Sequence, residues 1–175
     1  MVDSEDKIAQ ISVAGNEVSS IPKVNFYHLT RSSLFEALPK LLEKLLQKNL
    51  KVELIHEDMT VLEALDKALW TYSPKSCLPH GMKGDPYPTQ HPIWLTDQLT
   101  HLNGAHVLVY CSLSHPLKIK DCNHYVVFFD DQDSDIVNRT RAQWKVLKDE
   151  GYVLAYWKQN SQGKWEEQSS KIKTP

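Results

Sequence analysis

Arg141, Trp144, Lys145 and Lys148 fall at helical spacing within SDIVNRTRAQWKVLKDE (134–150), and Val137 sits one turn ahead of Arg141. The planar fork of an arginine takes a carboxylate with two parallel hydrogen bonds, and an indole offers a flat apolar wall. With two lysines beside them, these residues suit an acidic peptide that carries an aromatic side chain or a terminal carboxylate. The competing reading makes Trp144 the edge of a core and the cations a solvated face, the commoner fate of such residues. The neighbouring positions Ile136, Thr140, Gln143 and Leu147 share another face, which is expected to lie on a sheet.

A second group lies in WTYSPKSCLPH (70–80), where Trp70, Pro74, Cys77, Leu78, Pro79 and His80 crowd a proline-broken segment. Connecting segments usually run over the surface, so apolar side chains there either fold back or face a partner. Metal chemistry would draw on His80, His91, His101, His106 and Cys77. None of these has the paired spacing of a zinc site, so they read as loop or surface residues, with no metal and no cofactor. Nucleophilic chemistry would use Cys77, with His80 three residues on, or Cys111, which sits in an apolar run and reads as a small buried hydrophobe. There is no Walker A loop, and HLTRSS (28–33) has no glycine to admit a phosphate. An enzyme, whether nucleotide-dependent or a Cys/His hydrolase, is the rival to a binding protein.

The elements that must position these groups are legible in order. VNFYHL (24–29) reads as a strand, and Leu34, Leu38, Leu41, Leu42, Leu45 and Leu46 line one face of a helix that Pro39 is expected to kink or restart. VELI (52–55) is a second strand. A second helix opens at Thr60, whose spacing to Glu63 is that of a capping box, and buries Leu62, Leu65 and Leu69. The stretch 71–92 holds five of the nine prolines and is expected to lack regular structure. IWLT (93–96), VLVYCS (107–112) and YVVFFD (125–130) are apolar runs of strand length. The last two are continuous enough for central strands covered on both faces. The helix 134–150 stops at Gly151, YVLAYWKQ is a closing strand, NSQG a turn and KWEEQ a return strand. Strand and helix alternate as in an α/β domain with a mostly parallel sheet and helices on both faces.

A single domain over 23–167 is expected, with a flexible extension at 1–22 and a fraying tail at 168–175. The net charge of −2 and pI near 6.4 supply no basic field to hold phosphates, which argues against direct DNA or RNA binding. Three scattered cysteines give no disulfide framework, and a reducing cytosol fits. No run approaches the roughly 20 apolar residues of a membrane span, and the first residues resemble no export signal.

LDKALWTYSPKSCLPHG (65–81), HPIWLT (91–96) and TRAQWKVLKDEGYVLAYWKQ (140–159) together resemble the chi subunit family of bacterial DNA polymerase III, over about Asn25 to Trp165. The end of the chain is most similar to chi proteins of alphaproteobacteria. The resemblance implies a fold like that of nucleotide-binding domains without the phosphate loop, no catalysis, and a place in the cytoplasm at the replisome and nucleoid. It implies capture of the acidic, Phe-ended tail of single-stranded-DNA-binding protein by Arg141, Trp144 and Lys145, with Val137 and Lys148 beside them. It also implies docking of the psi subunit, or another clamp-loader component, on Trp70, Cys77, Pro79 and His80, with Pro74 and Leu78 in the same patch. Cys77 stands where that family often has phenylalanine. DNA is then met only through partners, and no membrane is involved.

Overall fold

The computed structural model describes residues 21–119, 122–130 and 132–168. The expected extension and tail therefore fall mainly on residues 1–20 and 169–175, outside the described residues. Eight strands form one sheet: β1 (Lys23–Leu29), β2 (Val52–Ile55), β3 (His80–Met82), β4 (Ile93–Thr96), β5 (Val107–Tyr110), β6 (His124–Asp130), β7 (Val153–Gln159) and β8 (Trp165–Glu167). Their spatial order is β3-β4-β2-β5-β6-β1-β7-β8, and every pairing is parallel except β7 with β8. Three α-helices accompany it among the described residues, α1 (Leu34–Gln47), α2 (Met59–Thr71) and α3 (Ser134–Asp149), with a short 3-10 helix at Pro88–Gln90.

Each strand of the centre serves two cores, because successive side chains point to opposite faces. On β6, Val126 and Phe128 join Leu38, Leu41, Leu42 and Leu45 of α1 and Leu62, Leu65 and Leu69 of α2. Tyr125, Val127 and Phe129 join the other core, with Leu147 of α3 and the connecting residues Leu113 and Leu117. The apolar runs VLVY and YVVFF are thus covered on both sides, and the α/β architecture expected from them is present.

Three local expectations are corrected. Of the two effects expected of Pro39, a kink or a restart, the restart is absent: α1 is one helix from Leu34 to Gln47 with Pro39 buried. The amide that proline lacks would have bonded the carbonyl of Phe35, a residue 40% exposed, so water can serve that oxygen instead. Thr60 and Glu63 form no capping box. Asp58 caps α2, accepting from the Thr60 amide at 2.8 Å and from its hydroxyl at 2.7 Å. The stretch 71–92 is not wholly irregular either, since His80–Met82 pairs with Ile93–Leu95 as the sheet's outer strand.

Candidate functional site

Asp133 starts α3 by accepting from the amides of Asp135 at 2.8 Å and Ile136 at 3.3 Å. Gly151, at φ +86°, ends it in the left-handed conformation that a side chain disfavours. Between those points the rotation of the helix is fixed by what it buries. Thr140 and Leu147 are buried, and the Gln143 side chain accepts the Leu117 amide at 3.2 Å. That face is the one the spacing predicted.

The adjoining stripe follows from this rotation. Val137 and Trp144 are half-buried, while Arg141, Lys145 and Lys148 are exposed. The Trp144 indole meets Phe26 of β1 edge-on, with ring centroids 5.3 Å apart, and Tyr156 of β7 at 6.1 Å and 89°. It therefore belongs to the core on one side and to the surface on the other. Among the described residues no ion pair engages Arg141, Lys145 or Lys148, so their charge is turned toward solvent. Positions 137, 141, 144, 145 and 148 lie along one side of the helix.

The structure adds partners that helical spacing could not reveal. His28 of β1 stacks on Phe129 of β6 at 4.7 Å and 12°, and its Nδ1 lies 2.8 Å from the Tyr156 hydroxyl. Phe26, His28, Phe129, Trp144 and Tyr156 thus form one aromatic group where α3 crosses the strands. The signal in the sequence was the alternation in VLAYWKQ, which puts Tyr156 on the face opposite Trp157.

At the other end of the sheet, Trp70 ends α2 with 64% of its surface exposed, and its ring lies 4.7 Å from that of His80. Pro74, Cys77 and Pro79 are exposed as expected. His80 is no surface residue: it is 4% exposed, on β3, with Nδ1 at 2.6 Å from the Leu78 carbonyl and Nε2 at 3.1 Å from Asp66. Leu78 is likewise buried, at 3% exposed. Both support the patch from beneath. Gly81 is required here, since a Cβ would come 2.7 Å from the His91 ring.

The loop after β1, where a nucleotide-binding domain would hold a phosphate, is filled by the chain itself. After β1 the amides of Thr30, Arg31 and Ser32 converge on one atom, the Gln159 side-chain oxygen, at 3.2, 3.0 and 3.1 Å. Converging amides ahead of a helix are what a phosphate would occupy in a nucleotide-binding domain. Here the chain fills that position with its own carboxamide. Burial pushes the Cys111 thiol up, away from the reactive thiolate, and does the same to Cys122, which lies 2.9 Å from the His106 carbonyl. Among the described residues no three His, Cys, Asp or Glu side chains gather as metal ligands.

The fold is that of a doubly wound α/β domain in which the Gln159 carboxamide fills the amide cluster after β1. Residues 21–155 match the family model described as DNA polymerase III chi subunit, HolC, and the chain belongs to that family. A protein of Rickettsia prowazekii (strain Madrid E), described as a probable DNA polymerase III subunit chi, is 35% identical over 114 residues, which cover 65% of this chain and 69% of that one. The family places the chain among the accessory subunits of DNA polymerase III, in DNA replication. Among the described residues no helix is long and apolar enough to cross a membrane.

Proposed function

We propose that this chain is a non-catalytic adaptor that links the clamp loader to single-stranded-DNA-binding protein by gripping the acidic C-terminal tail of that protein. Val137, Arg141, Trp144, Lys145 and Lys148 form the grip. The observation that carries this reading is the half-sunk indole: it is held rigid by Phe26 and Tyr156, yet keeps a free side beside three cations with no ion-pair partner among the described residues. Ordering costs are small for a wall already fixed, and the cations need shed no internal carboxylate before taking one from a ligand. The second surface, Trp70 with Pro74, Cys77 and Pro79 over Leu78 and His80, docks the psi subunit or another clamp-loader component. The protein then works in the cytoplasm, at the replisome and nucleoid, and meets DNA only through its partners.

Titration with the tail peptide tests the reading. Arg141→Ala and Trp144→Ala are each expected to weaken binding by about 1–3 kcal/mol, the range of an anchor residue. Affinity is also expected to fall as salt is raised, because part of the contact is charge pairing. Undiminished affinity in both variants would remove the adaptor reading.

A further inference from the structure

The stripe on α3 is one wall, and a helix surface is convex. A pocket that selects a side chain needs a second wall set at an angle to the first. Strand β7 supplies it. Its alternation turns Leu154, Tyr156 and Lys158 toward α3, while Ala155 and Trp157 are buried in the opposite core. Tyr156 is half-buried and fixed from two directions: its hydroxyl lies 2.8 Å from His28 Nδ1, and Trp144 stands perpendicular to its ring. Phe26, the residue across from Tyr156 on β1, is also the one on which Trp144 rests. Trp144 and Tyr156 therefore meet at a right angle where α3 meets β1 and β7, with Phe26 fully buried beneath them. Lys158, across from His28 and two residues beyond Tyr156, is exposed, and no ion pair engages it among the described residues.

We propose that the peptide-binding site extends off the helix onto β7, with Tyr156 as the second wall for the ligand's aromatic end and Lys158 as a further cation for its carboxylates. The ligand class is an acidic peptide with an aromatic terminal residue, and the proposal rests on the adaptor reading above. Tyr156 and Lys158 divide the work. The ring discriminates an aromatic terminus from a small one, because it completes the corner. Lys158 answers charge alone, since acidic side chains two apart on an extended peptide recur about every 7 Å and reach past the helix to the strand. His28 positions the Tyr156 ring through its hydroxyl.

The full chain is titrated with a short aspartate-rich peptide ending in phenylalanine and with the same peptide ending in alanine, at several salt concentrations. Wild type is expected to favour the phenylalanine peptide by roughly tenfold or more, as an anchor in a pocket does. Tyr156→Ala is expected to bring that ratio close to one by weakening the phenylalanine peptide only. Lys158→Glu is expected to weaken both peptides alike and to flatten the salt dependence, with an unchanged melting temperature. Should Tyr156→Ala fail to fold, Tyr156→Leu keeps the apolar bulk and removes the ring. A wild-type ratio in the folded Tyr156 variant, with undiminished binding in Lys158→Glu, overturns the extension onto β7 while Arg141 and Trp144 keep their role. Failure of the wild type to bind either peptide removes both readings.

Discussion

Replacing Gln159 by alanine tests how the closed phosphate position contributes to the fold. Its side-chain oxygen accepts three backbone amides, and its nitrogen donates to Ser32 Oγ at 2.6 Å. Alanine removes these four contacts, together with a longer one from the nitrogen to the Gly163 carbonyl at 3.5 Å, at a residue that is 7% exposed. Each neutral bond contributes a net ~0.5–1.5 kcal/mol, so the gross sum is about 2–6 kcal/mol. Arg31 is exposed and Thr30 and Ser32 are partly so, which lets water serve some of the freed amides. A loss of about 2–3 kcal/mol is expected, a fall of roughly 4–12 °C in melting temperature for a domain of this size. The freed amides should then accept an external anion. If sulfate bound there with a dissociation constant near 10 mM, 100 mM would restore about 1.4 kcal/mol by mass action. Sulfate also stabilises proteins generally by exclusion from their surface, so the wild type at the same concentration is the reference. Thermal melts in chloride and in sulfate, at matched ionic strength, therefore compare two differences. A variant as stable as the wild type would show that the amides do not depend on Gln159. A destabilised variant that gains no more from sulfate than the wild type would show that the amides form no anion nest.

Trp144→Ala is expected to lower stability by roughly 1.5–2.5 kcal/mol, about half the cost of truncating a fully buried aromatic, whereas Arg141→Ala should leave the denaturation midpoint within ~0.5 kcal/mol of wild type. Glu53 is fully buried on β2, where its carboxylate accepts the amides of Thr100 at 2.7 Å and His101 at 2.9 Å and the hydroxyl of Thr100. Glu53→Gln is expected to cost about 1.5–3 kcal/mol in urea unfolding with an unchanged slope, because an amide group would turn two donors toward donors. Burial first, then Lys23 and Lys48, holds the imidazole of His124 below its ordinary 6.5. The unfolded chain thus takes the proton first as pH falls. The stability tied to His124 is whole above about pH 6.5 and declines as pH drops through the folded pKa. Melts between roughly pH 7.5 and pH 5 should show that decline, and His124→Gln should make it shallower.

What could be read from the residues was what depends on near neighbours. The central strands declared themselves because burial on both faces demands an unbroken apolar run. The rotation of α3 was readable because Ile136, Thr140, Gln143 and Leu147 mark the buried side. Strand β3 was not, since three residues of sequence His-Gly-Met carry no apolar pattern, and the closeness of the His91 ring to Gly81 is a contact no local spacing announces. The start of α2 was misplaced because Asp58, two residues upstream, takes both the amide and the hydroxyl of Thr60. Tyr156 with His28, and Gln159 with the loop after β1, are contacts across 127 to 129 residues, beyond any local spacing rule.

Strand β3 forms the rim of the sheet next to Trp70, and such a rim would ordinarily offer its amides to another chain. Lys83 turns its amide inward to the Leu95 carbonyl, so that of Met82 points outward, and the Asp85 carboxylate has already claimed it at 2.8 Å. A newcomer on this border finds a negative charge where a ladder would begin. Association beside Trp70 must therefore be read by shape and side chains, which confines it to partners that fit, and copies of this chain are discouraged from stacking into a continuous ribbon along that border.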